Sequence, residues 1–204
     1  MIIGTAGFTA MLCVQALADQ HITPERGEIL VTGASGGVGS VAITLLNKLG
    51  YRVAAVTGRP EQNGDLLRSL GATRIIERAE LAQPAKPLES TRWAGAVDTV
   101  GSQILAKVLA QTEYDGAVAA CGLAGGMDLP TTVMPFILRN VKLIGVDSVY
   151  CPYEKRVAAW QKVAELLPES YYAAASNEIA LEAVPEAAAQ IIRGEITGRT
   201  LVKL

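Results

Sequence analysis

The sequence predicts an α/β chain, a doubly wound parallel sheet followed by an α+β tail. Three observations predict it. Short apolar runs alternate with stretches of helical spacing. The runs are continuously hydrophobic, as strands covered on both faces are. And the run Ile29–Thr32 enters "GASGGVGS", where Gly33, Gly36, Gly37 and Gly39 crowd the start of a helix.

A helix is expected over Phe8–Ala18, then a turn around Pro24 and Gly27 and a buried strand at Ile29–Thr32. A helix over Gly37–Leu49 stops at Gly50, which can take the left-handed C-terminal cap. Arg52–Thr57 is a second strand, Glu61–Leu70 a helix capped by Gly71, and Arg74–Glu77 a third strand. Residues 79–92 hold two prolines and mixed charge and read as an irregular connection. Ala96–Val100, Ala117–Cys121 and Val141–Val146 are further strands. Between them lie helices at Gln103–Gln111 and near Met134–Arg139, the second preceded by the loop "GLAGG". The alternation then breaks. Tyr153–Leu167 reads as a helix, Ile179–Leu181 as a strand, Val184–Arg193 as a helix and Thr200–Leu204 as a last strand. Six strands joined by helices form the doubly wound, Rossmann-type arrangement. The division expected is 1–148 for this domain with its preceding helix and 149–204 for the tail.

Composition excludes several functions. Of 204 residues, 50% are hydrophobic and 19% charged, with a net charge of −2 and no long basic run, which argues against a nucleic-acid binder. No apolar run reaches the ~20 residues of a membrane span. The apolar N-terminus carries no positive region ahead of it, so a cytoplasmic protein is expected. Cys13, Cys121 and Cys151 form no CxxC pair, and His21 is the only histidine. Neither a metal site nor a disulfide framework is expected.

A glycine turn between strand and helix suits a pyrophosphate. The first helical N–H groups lack internal partners, the helix dipole favours an anion there, and glycine lets the backbone approach. Ala34, Gly36 and Gly39 stand at the G-x-G-x-x-G positions, with Ala for the first Gly. A tight turn without ligand is the alternative. Thr32, Gly33, Gly37 and Gly39 also satisfy T-G-x-x-x-G-x-G, the short-chain dehydrogenase pattern. That family needs a Tyr with a Lys four residues on, and none of the six tyrosines has one. At the end of the second strand, where a free ribose 2′-OH calls for a carboxylate, stands Thr57-Gly58-Arg59. A hydroxyl, an open backbone and a guanidinium fork suit a 2′-phosphate, hence NADPH. Arg59 as a solvated loop charge is the alternative. Arg78, after the third strand, is placed against the adenine or the same phosphate, or on the open surface.

The stretches "MIIGTAGFTAMLCVQAL", "VTGASGGVGS", "VTGRPE", "DTVGSQILAKVLAQ", "AACGLAGG", "LPTTVMPFILRNVKLIGVDSV" and "GRTLVKL" together resemble the zinc-independent medium-chain dehydrogenase/reductases. The likeness is to the quinone-oxidoreductase-like subgroup that includes NADPH-dependent acryloyl-CoA reductases. It implies that Ser35, Gly36, Gly37 and Val38 cradle the pyrophosphate and that Thr57, Gly58 and Arg59 hold the 2′-phosphate. It further implies that Leu123 and Ser148 flank the nicotinamide, with Ile137 at the same edge. Thr9 resembles a threonine approaching the nicotinamide, with a helix N-cap as the alternative; Arg199 is a contact of the same kind, or an exposed turn charge. The implied reaction is hydride transfer from NADPH to an activated alkene such as an enoyl-CoA, with no metal and no catalytic residue that can be named here. A quinone reductase and a non-catalytic NADPH-binding module remain alternatives. The family's N-terminal GroES-like domain has no counterpart in this chain, which therefore reads as a fragment, inactive by itself. Ile179, Leu181, Leu201 and Val202 of the tail are then expected to expose apolar surface. A homodimer through the sixth strand is the family's common assembly.

Overall fold

A computed structural model describes residues 2–204. The elements run α1 (Gly4–Asp19), β1 (Glu28–Val31), α2 (Gly37–Lys48), β2 (Arg52–Thr57), α3 (Pro60–Ser69), β3 (Arg74–Glu77), α4 (Arg78–Leu81), β4 (Trp93–Asp98), α5 (Ser102–Gln111), β5 (Thr112–Ala120), α6 (Met134–Arg139) and β6 (Lys142–Gly145). The tail holds α7 (Tyr153–Leu166), α8 (Glu169–Ala174), β7 (Ser176–Ala180), α9 (Val184–Ile192) and β8 (Arg199–Lys203).

The sheet order is β3-β2-β1-β4-β5-β6, and all its pairs are parallel. The pleat sends successive side chains to opposite faces. Ile29 and Val31 of β1 enter one core with Val53, Ala55, Val97 and Ala119. Leu30 enters the other with Ala54, Val56, Ala96 and Val118. Because both destinations are apolar, the strands read as unbroken runs. Residues of α1, α2 and α7 share the first core, and residues of α4 and α5 the second. Among the described residues no helix is long and apolar enough to cross a membrane.

Several boundaries differ from expectation. The first helix starts at Gly4, not near Phe8: burial of nearly the whole face from Gly7 to Val14 outweighs the low helix propensity of two glycines. β4 begins at Trp93, because Trp93, Ala94 and Gly95 are all buried between β1 and β5. β5 begins at Thr112, with a register shift against β4 between Trp93 and Gly95. The connection 79–92 opens with the short helix α4, pinned by fully buried Leu81. In the tail, α8 has no counterpart among the expected elements; buried Tyr171 anchors it.

The tail is bound to the sheet domain. Trp160 stacks on Phe8 with ring centroids 5.6 Å apart, and Tyr171 Oη shares a hydrogen bond with Ser40 Oγ at 3.0 Å. β7 and β8 pair parallel as a separate two-stranded sheet. Leu181, Ile191, Ile192 and Val202 are exposed there, while Ile179 and Leu201 are half-buried, so the expected apolar exposure holds for two of the four residues named.

Candidate dinucleotide-binding site

Six parallel strands deliver their C-terminal ends to one edge of the sheet, and the loops beyond those ends form a row there. The row comprises the glycine turn after β1, Thr57–Arg59 after β2, Arg78 after β3, Asp98 ending β4, Cys121–Leu123 after β5 and Val146–Ser148 after β6. This arrangement brings the residues from distant segments together.

In the turn, Gly33 takes a left-handed φ of 58°, which a side chain would strain, and its carbonyl accepts the Gly36 amide at 2.9 Å. Gly36 is extended and precedes α2 without any side-chain cap. The amides of Gly37, Val38 and Gly39 therefore open the helix without internal acceptors. Gly39 lies against the turn itself: a Cβ there would sit 2.7 Å from the Ala34 Cα. Gly39→Ala is expected to lower stability by about 1–3 kcal/mol, because the obstacle is backbone that cannot rotate away. A urea denaturation curve with an unshifted midpoint would contradict this close approach.

Arg199 reaches the same turn from β8. Its Nη1 lies 2.6 Å from where a Cβ on Gly37 would be, and its Nε donates to the Ile2 carbonyl at 2.8 Å. The tail also touches the turn by backbone, with Gly198 N–H donating to the Ser35 carbonyl at 2.8 Å. Arg199 thus stands half-buried over the anion-attracting helix start, not in a free surface turn.

The second cationic group forms around Gly58. A Cβ there would lie 3.0 Å from the Arg78 guanidinium carbon, so Arg78 covers this glycine. Arg78 is exposed and makes no hydrogen bond or ion pair among the described residues. Thr57 is buried; its Oγ1 accepts the Arg59 amide at 3.2 Å and the Asn63 Nδ2 at 3.4 Å, leaving its own proton to donate. The Arg59 guanidinium is not solvated loop charge. It donates to the carbonyls of Glu195 and Ile196 and to Thr197 Oγ1. A cavity of about 360 Å³ beside it is lined by Arg59, Asn63, Ala175 and Thr197 among others.

The remaining expected residues are more scattered. Thr9 is buried inside α1 and its Oγ1 donates to the Thr5 carbonyl at 2.8 Å, which removes the N-cap alternative. Leu123 and Ile137 are exposed, and Ser148, beyond β6, gives its carbonyl to Arg156 Nη2 at 3.0 Å. Among the described residues no hydrogen bond joins any of these four to the glycine turn or to Thr57–Arg59. Cys121 packs at the end of β5, with its Sγ 3.5 Å from the Asp98 carbonyl and a hydrogen bond to Cys13 that pulls its thiol down from the ordinary range and pushes that of buried Cys13 up.

Sequence reasoning passed over Asp98. It is fully buried where β1 and β4 end. Its carboxylate accepts Thr32 Oγ1 at 2.7 Å and the Gly101 amide at 2.8 Å, while the Thr99 amide donates to Thr32 Oγ1 at 3.0 Å. Burial pushes the Asp98 carboxyl up, against these hydrogen bonds, which lower it. The network fixes the edge from which the glycine turn departs. No local signal marked it, since its partner Thr32 is joined to it only by the fold.

Residues 37–168 match the family model described as "Zinc-binding dehydrogenase". The chain is 62% identical over 204 residues to the probable acrylyl-CoA reductase AcuI of Escherichia coli (strain K12), covering 100% of this chain and 62% of that protein. A putative quinone oxidoreductase, YhfP of Bacillus subtilis (strain 168), is 46% identical over 206 residues, again with 100% and 62% coverage. The crystal structure of the yhdH oxidoreductase from Salmonella enterica in complex with NADP superposes with a TM-score of 0.96 at 62% identity, covering 100% of this chain and 62% of that one. The chain thus spans about 62% of the length of the relatives it matches.

Proposed function

The chain belongs to the zinc-binding dehydrogenase family, the medium-chain dehydrogenase/reductases, and from that premise we propose that it is the NADPH-binding part of an oxidoreductase that reduces an activated alkene, an enoyl thioester of the acrylyl-CoA kind. The observation that carries the cofactor choice is Gly58 flanked by Thr57, Arg59 and Arg78, with no carboxylate at the end of β2. The E. coli relative's name supports the substrate class, and the NADP in the Salmonella structure supports the cofactor.

NADPH supplies a hydride when bound, and this chain's residues hold and orient it. The amides opening α2 and the Arg199 guanidinium face the pyrophosphate. Thr57, Arg59 and Arg78 surround the 2′-phosphate. Leu123, Ile137 and Ser148, with Thr9 from α1, are proposed for the nicotinamide end. Zinc, which the family description names, does not fit here: among the described residues no three His, Cys, Asp or Glu side chains gather closely enough to hold a metal. The only histidine, His21, is exposed in the turn after α1.

Residues 1–148 serve in this reading as the cofactor domain, and residues 149–204 as a tail whose exposed Leu181, Ile191, Ile192 and Val202 offer apolar surface to a further domain. β6 is an edge strand with exposed Val133, Met134, Ile137 and Leu138 nearby, which supports a homodimer extending the sheet across a two-fold axis. Three free cysteines support a cytoplasmic setting.

The B. subtilis relative's name favours a second reading, a quinone reductase. NADPH oxidation by the whole protein carrying this chain decides between them. Faster turnover with acrylyl-CoA than with a small quinone supports the enoyl reading, and the reverse supports the second. Binding of NADPH with reduction of neither would leave a non-catalytic binding module.

A further inference from the structure

From the hydrogen bonds around Arg59 we infer that Thr197, on the tail, is a positioning residue that sets the preference for a 2′-phosphorylated cofactor, an inference that rests on the NADPH reading above. The hydrogen bonds form a closed ring. Arg59 Nη2 donates to Thr197 Oγ1 at 3.2 Å, and Thr197 Oγ1 donates to Asn63 Oδ1 at 2.9 Å. Asn63 Nδ2 donates to Thr57 Oγ1 at 3.4 Å, and Thr57 Oγ1 also accepts the Arg59 amide at 3.2 Å. The ring therefore starts and ends on Arg59. Asn63 is 3% exposed, so its polar atoms depend on these partners.

Two further acceptors hold the same guanidinium to the tail, the carbonyls of Glu195 and Ile196. The segment that carries them lies between Gly194 and Gly198, at φ 71° and 69°, and is tied to the glycine turn through Gly198 N–H and the Ser35 carbonyl. It is thus a strap across the two phosphate-binding loops. A guanidinium has five N–H donors, and three acceptors leave two for a phosphate. A long side chain otherwise free to rotate, on the residue that follows Gly58, is held in place before the ligand arrives, which removes an ordering cost from binding. A cofactor with a 2′-phosphate gains from this through the guanidinium, and NADH carries no such phosphate.

The test is fluorescence titration of the 204-residue chain with NADPH and with NADH. Thr197→Val keeps the shape, removes both hydrogen bonds, and should weaken NADPH binding about five- to ten-fold, with NADH changed less than about two-fold. Thr197→Ser should restore the unsubstituted ratio. If Thr197→Val does not melt cooperatively, Thr197→Ala, which only removes atoms, takes its place. An equal loss for both cofactors, or an unchanged ratio, overturns the inference while leaving the NADPH reading intact. Absence of any NADPH preference in the unsubstituted chain overturns both.

Discussion

Arg59→Glu is expected to weaken NADPH binding by at least about ten-fold while leaving NADH within about three-fold, so that the preference for NADPH is lost. The guanidinium is replaced by a carboxylate that repels the phosphate and cannot donate. The substitution also cuts the bonds to the Glu195 and Ile196 carbonyls, so the strap loosens. Any loss common to both cofactors measures that loosening, and the difference between them measures the phosphate contact. Retention of a large NADPH preference in Arg59→Glu would assign the 2′-phosphate to Arg78 alone.

The second large effect belongs to stability. Asp98→Ala removes the acceptor of the Thr32 hydroxyl and of the Gly101 amide inside the sheet edge. Two buried donors are left unpaired, and a loss of about 2–4 kcal/mol is expected. The pH dependence has a definite sign. Burial raises the folded-state pKa of Asp98 above its unfolded value. Such a group's contribution is fully present below the unfolded value and fades as pH climbs through the folded one. The deficit of Asp98→Ala should therefore be larger near about pH 4 than near about pH 8 in paired urea denaturations. A deficit that grows with pH would mean that the hydrogen bonds outweigh desolvation at this carboxyl.

These two residues also show how far the sequence could be read. Thr57-Gly58-Arg59 could be singled out because the three residues stand together at the end of one strand, with no carboxylate among them. The strands were legible because both faces of β1, β2, β4 and β5 are apolar, and period-2 alternation vanishes into continuous runs. The Thr197–Asn63 bond was not legible, since it joins residues 134 apart through a tail that breaks the βα alternation. Asp98 fell within an expected strand, yet nothing local says that an acid closing an apolar run will be buried and paired to a threonine 66 residues earlier. Arg199 read more readily as an exposed turn charge than as a contact; only the empty side of Gly37, which its guanidinium fills, gives it a place over the helix start.

The proposed hold of this chain on NADPH runs through the 2′-phosphate. Isothermal titration of the unsubstituted chain with NADPH and NADH in the same buffer tests it most directly. Saturable one-site binding of NADPH is expected, at least about ten-fold tighter than NADH, the equivalent of one charge-assisted hydrogen bond. Equal affinities, or tighter binding of NADH, would contradict it.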